Sequence, residues 1–262
     1  MKSKLKGVEV MGNKLLIQAS HSFRDAQVTI QVNNVSPFDE VILIAKMRDN
    51  FGVDWKSHAK FKADSNGEIN TATEKPLDGT YSEPDRMGLF WSMSPVSNDI
   101  PKERTPLEPL KTTFTLKQNG KVIDEACLVR HLIDPEIERL PIREDGLVGT
   151  MFLQKEASNY PTVVVLGGSE GGLLEGDAAL LASHGFNTFS LAYFGIEHLP
   201  SELVHIPIDY IEEALHWLTN KTDINPNRIG MMGTSKGGEL ALLSASMFPN
   251  VKAVACYVPS SV

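Results

Sequence analysis

Residues Gly233-Thr234-Ser235-Lys236-Gly237 fit G-x-S-x-G and stand between two runs of opposite character. Ahead lies Ile229-Gly230-Met231-Met232, short and apolar like a strand. Behind lies Glu239-Leu240-Ala241-Leu242-Leu243, with the spacing and composition of a helix. A serine between a strand and a helix marks a nucleophile elbow, a sharp turn that exposes one hydroxyl above a sheet. Gly233 and Gly237 suit this turn, because side chains there would collide with its strained backbone. This constrains the surrounding chain to an α/β architecture.

The flanking pattern agrees. Expected strands cover residues 148–153, 161–166, 187–192, 228–232 and 251–258, and expected helices 173–184, 208–218 and 237–246. Ile208, Ile211, Leu215 and Leu218 keep helical spacing, with Pro207 at the first turn. The run at 161–166 is apolar almost throughout, as in a strand buried on both faces. Alternation of this kind predicts a parallel sheet covered by helices on both faces.

The first half has another grammar. Short alternating runs at 14–17, 26–32, 41–47, 59–63, 88–93, 112–116 and 126–132 read as strands. Gly12-Asn13, Asn33-Asn34, Asp49-Asn50, Ser65-Asn66-Gly67, Asp78-Gly79 and Asn119-Gly120 separate them as turns. Residues 95–109 read as a long surface loop. This predicts an all-β antiparallel sandwich. The change of grammar after Asp134-Pro135 and Leu140-Pro141 divides the chain into a β-sandwich over 1–140 and an α/β domain over 141–262.

Composition narrows the partners. A net charge of −8 and a pI of about 5.4 argue against nucleic acid and anionic membrane surfaces. Two cysteines, Cys127 and Cys256, are too few for a disulfide framework and lie in apolar runs, so both are expected as buried free thiols. Cys127 and His131 have no second ligand pair, which leaves no zinc motif. No apolar run reaches the roughly 18 residues of a membrane span. Met1 to Lys6 is basic without an apolar stretch behind it, and the cytoplasm is the expected compartment.

Several residues have chemistry to offer. The Ser235 hydroxyl is a weak nucleophile until a base takes its proton, and a helix N-terminus favours the negative charge that then develops. Gly167-Gly168-Ser169-Glu170-Gly171-Gly172 follows a strand and precedes a helix. It lacks the lysine and hydroxyl of G-x-x-x-x-G-K-[ST] and does not space its glycines as G-x-G-x-x-G. It reads better as the loop giving one oxyanion N–H, near Ser169 or Glu170, while the Lys236 N–H gives the other. A tight structural turn is the plainer alternative. Glu170 either orders the elbow or the loop by hydrogen bonding or is a solvated loop acid. The Lys236 side chain meets either solvent or an anionic substrate. Of seven histidines, His198 and His205 fall in the loop after strand 187–192, at the sheet edge where ligands bind. His21, His58, His131, His184 and His216 read as structural or exposed. Trp55, Trp91 and Trp217 read as core anchors.

Longer motifs carry a resemblance. Leu166 to Glu175, Leu180-Leu181-Ala182-Ser183-His184-Gly185-Phe186, Leu191-Ala192-Tyr193-Phe194, Leu199-Pro200 and Met232 to Leu240 resemble the acyl-CoA thioesterase / bile-acid-CoA:amino-acid N-acyltransferase family. So do Phe61-Lys62-Ala63-Asp64, Gly67-Glu68, Gly79-Thr80-Tyr81 and Asp85 to Met93 in the first half. The resemblance implies an immunoglobulin-like domain before an α/β-hydrolase domain. It also implies hydrolysis of fatty acyl-CoA thioesters through a Ser-Asp-His triad. Members that conjugate amino acids carry cysteine at the position matching Ser235, so serine here favours hydrolysis.

One departure is large. The triad order is nucleophile, acid, histidine, yet only 27 residues follow Ser235, with no Asp and no His and with Glu239 as their one acid. The expectation is a family member lacking its C-terminal part, with the triad's acid and base beyond this chain and poor catalysis by this chain alone. Strand 251–258 would then lie at an unfinished sheet edge, which predicts self-association. The implied substrate is an acyl-CoA, and the mechanism calls for no metal or redox cofactor. Two rival readings stand beside it. One is a carboxylesterase or dienelactone-hydrolase-like enzyme on the same fold. The other is a non-catalytic binding protein.

Overall fold

The computed structural model describes residues 14–96, 107–155 and 159–260. Its contacts fall into two units, Met1–His131 and Leu132–Val262. Sequence grammar alone puts this division after residue 140.

In the first unit the strands are β1 (Leu15–Ile17), β2 (His21–Phe23), β3 (Ile30–Val32), β4 (Glu40–Arg48), β5 (Asp54–Lys62), β6 (Ile69–Asn70), β7 (Asp78–Gly79), β8 (Ser94–Pro95), β9 (Leu110–Gln118) and β10 (Lys121–His131). One sheet has the order β1-β3-β6; the other runs β2-β10-β9-β4-β5-β7, with β8 also on β5. Alternation decides which side chains go inside. Val41, Leu43 and Ala45 of β4 meet Ala59 and Phe61 of β5, Phe114 and Leu116 of β9, and Leu15, Ile30, Val32 and Ile69 of the smaller sheet in one core. Asn119 and Gly120, at φ 49° and 76°, close the two-residue hairpin between β9 and β10.

Three expectations in this unit are corrected. The run 88–93 is not a strand; Gly88–Trp91 forms a short helix, α1. Asp85 starts it, its carboxylate accepting the Met87 N–H at 2.7 Å while its carbonyl accepts the Gly88 N–H at 3.1 Å. Leu89 within the helix and Met93 just past it are both buried. Cys127 is exposed, because its register opposite Thr113 puts it on the outer face of the β9–β10 pair. Trp91 is 62% exposed, its indole N–H held by Asp85 at 2.8 Å. Most of the loop expected over 95–109 lies outside the described residues.

The second unit is built from β11 (Ile137–Ile142), β12 (Val148–Gln154), β13 (Thr162–Leu166), α2 (Glu175–Ser183), β14 (Asn187–Ala192), α3 (Ile208–Thr219), β15 (Ile229–Thr234), α4 (Lys236–Met247) and β16 (Val251–Tyr257). The sheet order is β11-β12-β14-β13-β15-β16. Strands β14, β13, β15 and β16 are parallel. The sheet is nonetheless mixed, because β12 runs antiparallel to both β14 and β11. Sequence reading expects parallel strands and no strand at 137–142. Asp145 and Gly146, at φ 53° and 75°, allow the short reversal that pairs β11 with β12. Pro141 is tolerated there because β11 is an outer strand.

Two adjacent residues of β14 show how the helices are distributed. Thr188 Oγ1 donates to the Ala178 carbonyl of α2 at 2.9 Å, and the Phe189 ring stacks on Trp217 of α3 with centroids 5.3 Å apart. Successive side chains of a strand point to opposite faces, so α2 and α3 cover opposite faces. Right-handed crossovers require the same arrangement, since the chain moves one way from β13 to β14 and the other way from β14 to β15. The parallel strands all end at one edge of the sheet, where the loops after β13, β14, β15 and β16 gather. No described helix is long and apolar enough to cross a membrane.

Candidate active site

Ser235 sits between β15 and α4 with φ 54° and ψ −119°. A Cβ makes that backbone region costly, by about 1–3 kcal/mol. Neighbouring contacts hold it there. The Ser235 N–H donates to the Tyr257 carbonyl at 2.9 Å, and the Ser235 carbonyl accepts the N–H groups of Gly238 at 3.0 Å and Glu239 at 3.2 Å. The N–H of Ser260 reaches the same carbonyl at 3.3 Å. Both flanking glycines are obligatory. A Cβ on Gly233 would stand 2.1 Å from the Gly237 carbonyl oxygen, and one on Gly237 would stand 2.3 Å from the Gly167 oxygen.

The second of these contacts brings the loop after β13 to the elbow. A Cβ built on Gly168 would lie 3.2 Å from Ser235 Cβ and 3.9 Å from Ser235 Oγ. Gly168 is thus the loop residue beside the hydroxyl. Ser169 and Glu170 follow it in an exposed turn. Among the described residues, the N–H groups of Gly168, Ser169 and Lys236 have no acceptor, and Ser235 Oγ has no hydrogen-bond partner. The first N–H groups of a helix have no acceptor within it, and α4 aims its own toward the serine. Strand, helix and glycine loop therefore leave backbone donors around one hydroxyl, an arrangement suited to stabilising an oxyanion.

Lys236 begins α4. Its ammonium does not extend alone into solvent: Nζ donates to Glu239 Oε2 at 2.6 Å. The Ser260 hydroxyl donates to the same oxygen at 2.7 Å. Lys236 first, then Ser260, holds the Glu239 carboxyl below its ordinary range. The segment after β16 is thereby fastened to the elbow. Cys256, expected buried, is partly exposed, and its thiol lies 3.3 Å from the Gly238 carbonyl.

Sequence reasoning named Tyr193 only within a motif and did not name Ser260 as a contact. Tyr193 stands just after β14, 4% exposed, and its hydroxyl donates to the Gly167 carbonyl at 2.7 Å. Burial, reinforced by the nearby Glu239 charge, pushes that phenol up to about 12. Its signal in the sequence is its position at the carboxyl end of a buried strand. His198 is turned elsewhere, a ring nitrogen lying 3.1 Å from the Gly146 carbonyl. His205 is exposed, at φ 52°. His216 pairs with Asn220 on α3. A surface pocket of about 400 Å³ includes His216, Trp217 and Lys221. It is also lined by Asp145 of the turn before β12 and includes none of the elbow or glycine-loop residues. No cluster of three or more His, Cys, Asp or Glu fit to hold a metal occurs among the described residues.

Comparison with known proteins adds an independent line. Residues 25–144 match the family described as acyl-CoA thioester hydrolase/BAAT N-terminal region, and residues 206–262 match BAAT / acyl-CoA thioester hydrolase C terminal. Over 238 residues the chain is 34% identical to acyl-coenzyme A thioesterase 1 of Mus musculus, covering 87% of this chain and 56% of that one. The peroxisomal succinyl-coenzyme A thioesterase of Mus musculus is also 34% identical over 238 residues, with the same shares of the two chains. This chain thus spans little more than half the length of these relatives. Among solved structures, MGS-M1, an α/β hydrolase enzyme from a Medee basin deep-sea metagenome library, is 25% identical with a TM-score of 0.38. That match covers 48% of this chain and 57% of the other.

Proposed function

The chain belongs to the acyl-CoA thioester hydrolase/BAAT family, and from that premise we propose that it serves hydrolysis of acyl-CoA thioesters, with Ser235 as nucleophile. The observation that carries this reading is the Ser235 backbone, at φ 54° and ψ −119° between β15 and α4. Strain of this kind persists only where surrounding contacts over-determine it, and a reactive serine is a reason to keep it.

In this mechanism Ser235 Oγ attacks the thioester carbonyl carbon and forms a tetrahedral intermediate. Its oxyanion is held by the Lys236 N–H and by an N–H of the loop that contains Ser169. Such donors act strongly because they are already aimed when charge develops, and losing one costs about 10²–10³ in rate. The carbon–sulfur bond then breaks, and CoA leaves as the thiolate. Water cleaves the acyl-enzyme in a second pass through the same hole. Glu170 supports the loop. By the resemblance to the family, the general base and its orienting acid are a His and an Asp placed after the nucleophile, and the 27 residues that follow Ser235 here include neither. The first unit is read as the family's immunoglobulin-like domain; its support is a pair of sheets sharing one core. The cytoplasm is kept as the compartment, although a similar relative carries a peroxisomal name.

A fluorophosphonate probe on the full-length protein tests the nucleophile. Labelling at Ser235 that disappears in Ser235→Ala is the expected result. No labelling would favour a non-catalytic binding role. Rates on palmitoyl-CoA against p-nitrophenyl esters then test the substrate, and a preference for the small esters would overturn the thioester assignment.

A further inference from the structure

We propose that Tyr193 is a positioning residue for the oxyanion hole: its hydroxyl fixes the Gly167–Gly168 peptide, and the Gly168 N–H is the donor on the loop side. This rests on the reading of Ser235 as nucleophile and deepens it.

The argument starts from the peptide plane. The bond between Gly167 and Gly168 is trans, as every described peptide bond is. In a planar trans peptide the C=O and the following N–H point in opposite directions. Whatever fixes the Gly167 carbonyl therefore fixes the Gly168 N–H. Two consecutive glycines have no side chains to resist rotation of that plane, so the restraint must come from outside the loop.

Tyr193 supplies it. Its hydroxyl donates to the Gly167 oxygen at 2.7 Å. The phenol is itself immobilised, buried at the end of β14 with its ring 5.1 Å from that of Phe194. On its other side, the same carbonyl is met by the backbone of Gly237, which leaves no room for a Cβ. The oxygen is thus held between a rigid donor and the first turn of α4. Burial first, then the Glu239 charge, pushes the phenol up to about 12, so its hydroxyl keeps its proton near neutral pH.

Position selects Gly168 over its neighbour. A Cβ on Gly168 would fall 3.2 Å from Ser235 Cβ, whereas Ser169 is exposed in the turn. The Gly168 N–H has no acceptor among the described residues. Tyr193 touches neither the nucleophile nor, in this account, the substrate; it acts through the peptide it holds.

The test compares Tyr193→Phe and Tyr193→Leu in the full-length protein, using saturation kinetics of a fluorophosphonate probe together with thermal unfolding. Phe keeps the ring and removes only the donor. The expected result for Phe is a limiting labelling rate lower by about tenfold or more. The half-saturating concentration should not change, and the unfolding midpoint should move by no more than about 4 °C. Leu should show the same rate loss with a larger drop in midpoint. Normal labelling in Phe with loss only in Leu would reduce Tyr193 to packing and overturn the proposal. If the parent is labelled at Ser235 and the Phe variant matches it, this inference alone falls. If the parent is not labelled, the serine mechanism falls and this inference with it.

Discussion

Gly237 and Gly167 are in backbone contact: a Cβ on Gly237 would lie 2.3 Å from the Gly167 carbonyl oxygen and 2.5 Å from that of Leu166. The start of α4 is thus pressed directly against the end of β13. This contact sets the distance between nucleophile and loop, so it links packing to chemistry.

Gly237→Ala should therefore harm both. The new methyl meets backbone on a rigid strand end, and overpacking of this kind costs about 1–3 kcal/mol. Urea unfolding should show that loss. Labelling at Ser235 should fall further than stability alone explains, because α4 must back away from the loop. An alanine variant with parental stability and labelling rate would contradict the contact.

Ser235→Gly should have opposite effects on stability and reactivity. Glycine adopts φ 54°, ψ −119° without the Cβ penalty. Relief of strain should outweigh the added freedom of the unfolded chain and stabilise by about 1 kcal/mol. Fluorophosphonate labelling should be lost. Ser235→Ala should lose labelling without gaining stability. Equal unfolding midpoints for the two variants would argue against strain at this position.

Glu239 should contribute an acid-sensitive share of stability. Its carboxyl is held low in the folded state by Lys236 and then Ser260. A depressed folded pKa means stabilisation that is full above the unfolded value and is lost as pH falls through the folded one. Between about pH 5 and pH 3, the parent should therefore lose more stability than Glu239→Gln. Chemical unfolding across that range reads the difference, and parallel curves would disprove it.

Strand β16 should promote association. It ends the sheet order with one described neighbour, β15. Ala255 and Tyr257 on it are exposed, as are Leu242, Leu243 and Met247 on the adjoining helix, at 50%, 48% and 51%. An unpaired, apolar edge pairs readily with another chain. Light scattering after size exclusion should show the isolated chain self-associating, and Ala255→Lys should shift it toward monomer. A clean monomer at high concentration would count against this.

Much of the second unit is legible because its local signals do not conflict. Helix α3 spans Ile208–Thr219 against an expected 208–218, since its apolar residues keep a single period. Strand β14 occupies Asn187–Ala192 as expected, all six residues being buried. By contrast, β11 reads Ile-Glu-Arg-Leu-Pro-Ile, a polar stretch interrupted by proline. Only its place at the edge of a sheet makes it a strand. Likewise, the apolar residues at 88–93 fit alternation until Asp85 captures the Met87 N–H and turns the chain into α1.

The sequence by itself determined the elbow and its order of elements. Gly233 and Gly237 around a serine, with an apolar run before and a helical run after, mark a sharp strand-to-helix turn, and a Cβ on Gly233 would strike that turn's own backbone at Gly237. Tertiary structure decided which groups meet there. Gly168 beside Ser235, Tyr193 on the Gly167 carbonyl and Ser260 on Glu239 join segments separated by tens of residues. Those meetings follow from the order of strands in the sheet. That order is set by which faces can be buried together, and no local pattern encodes it.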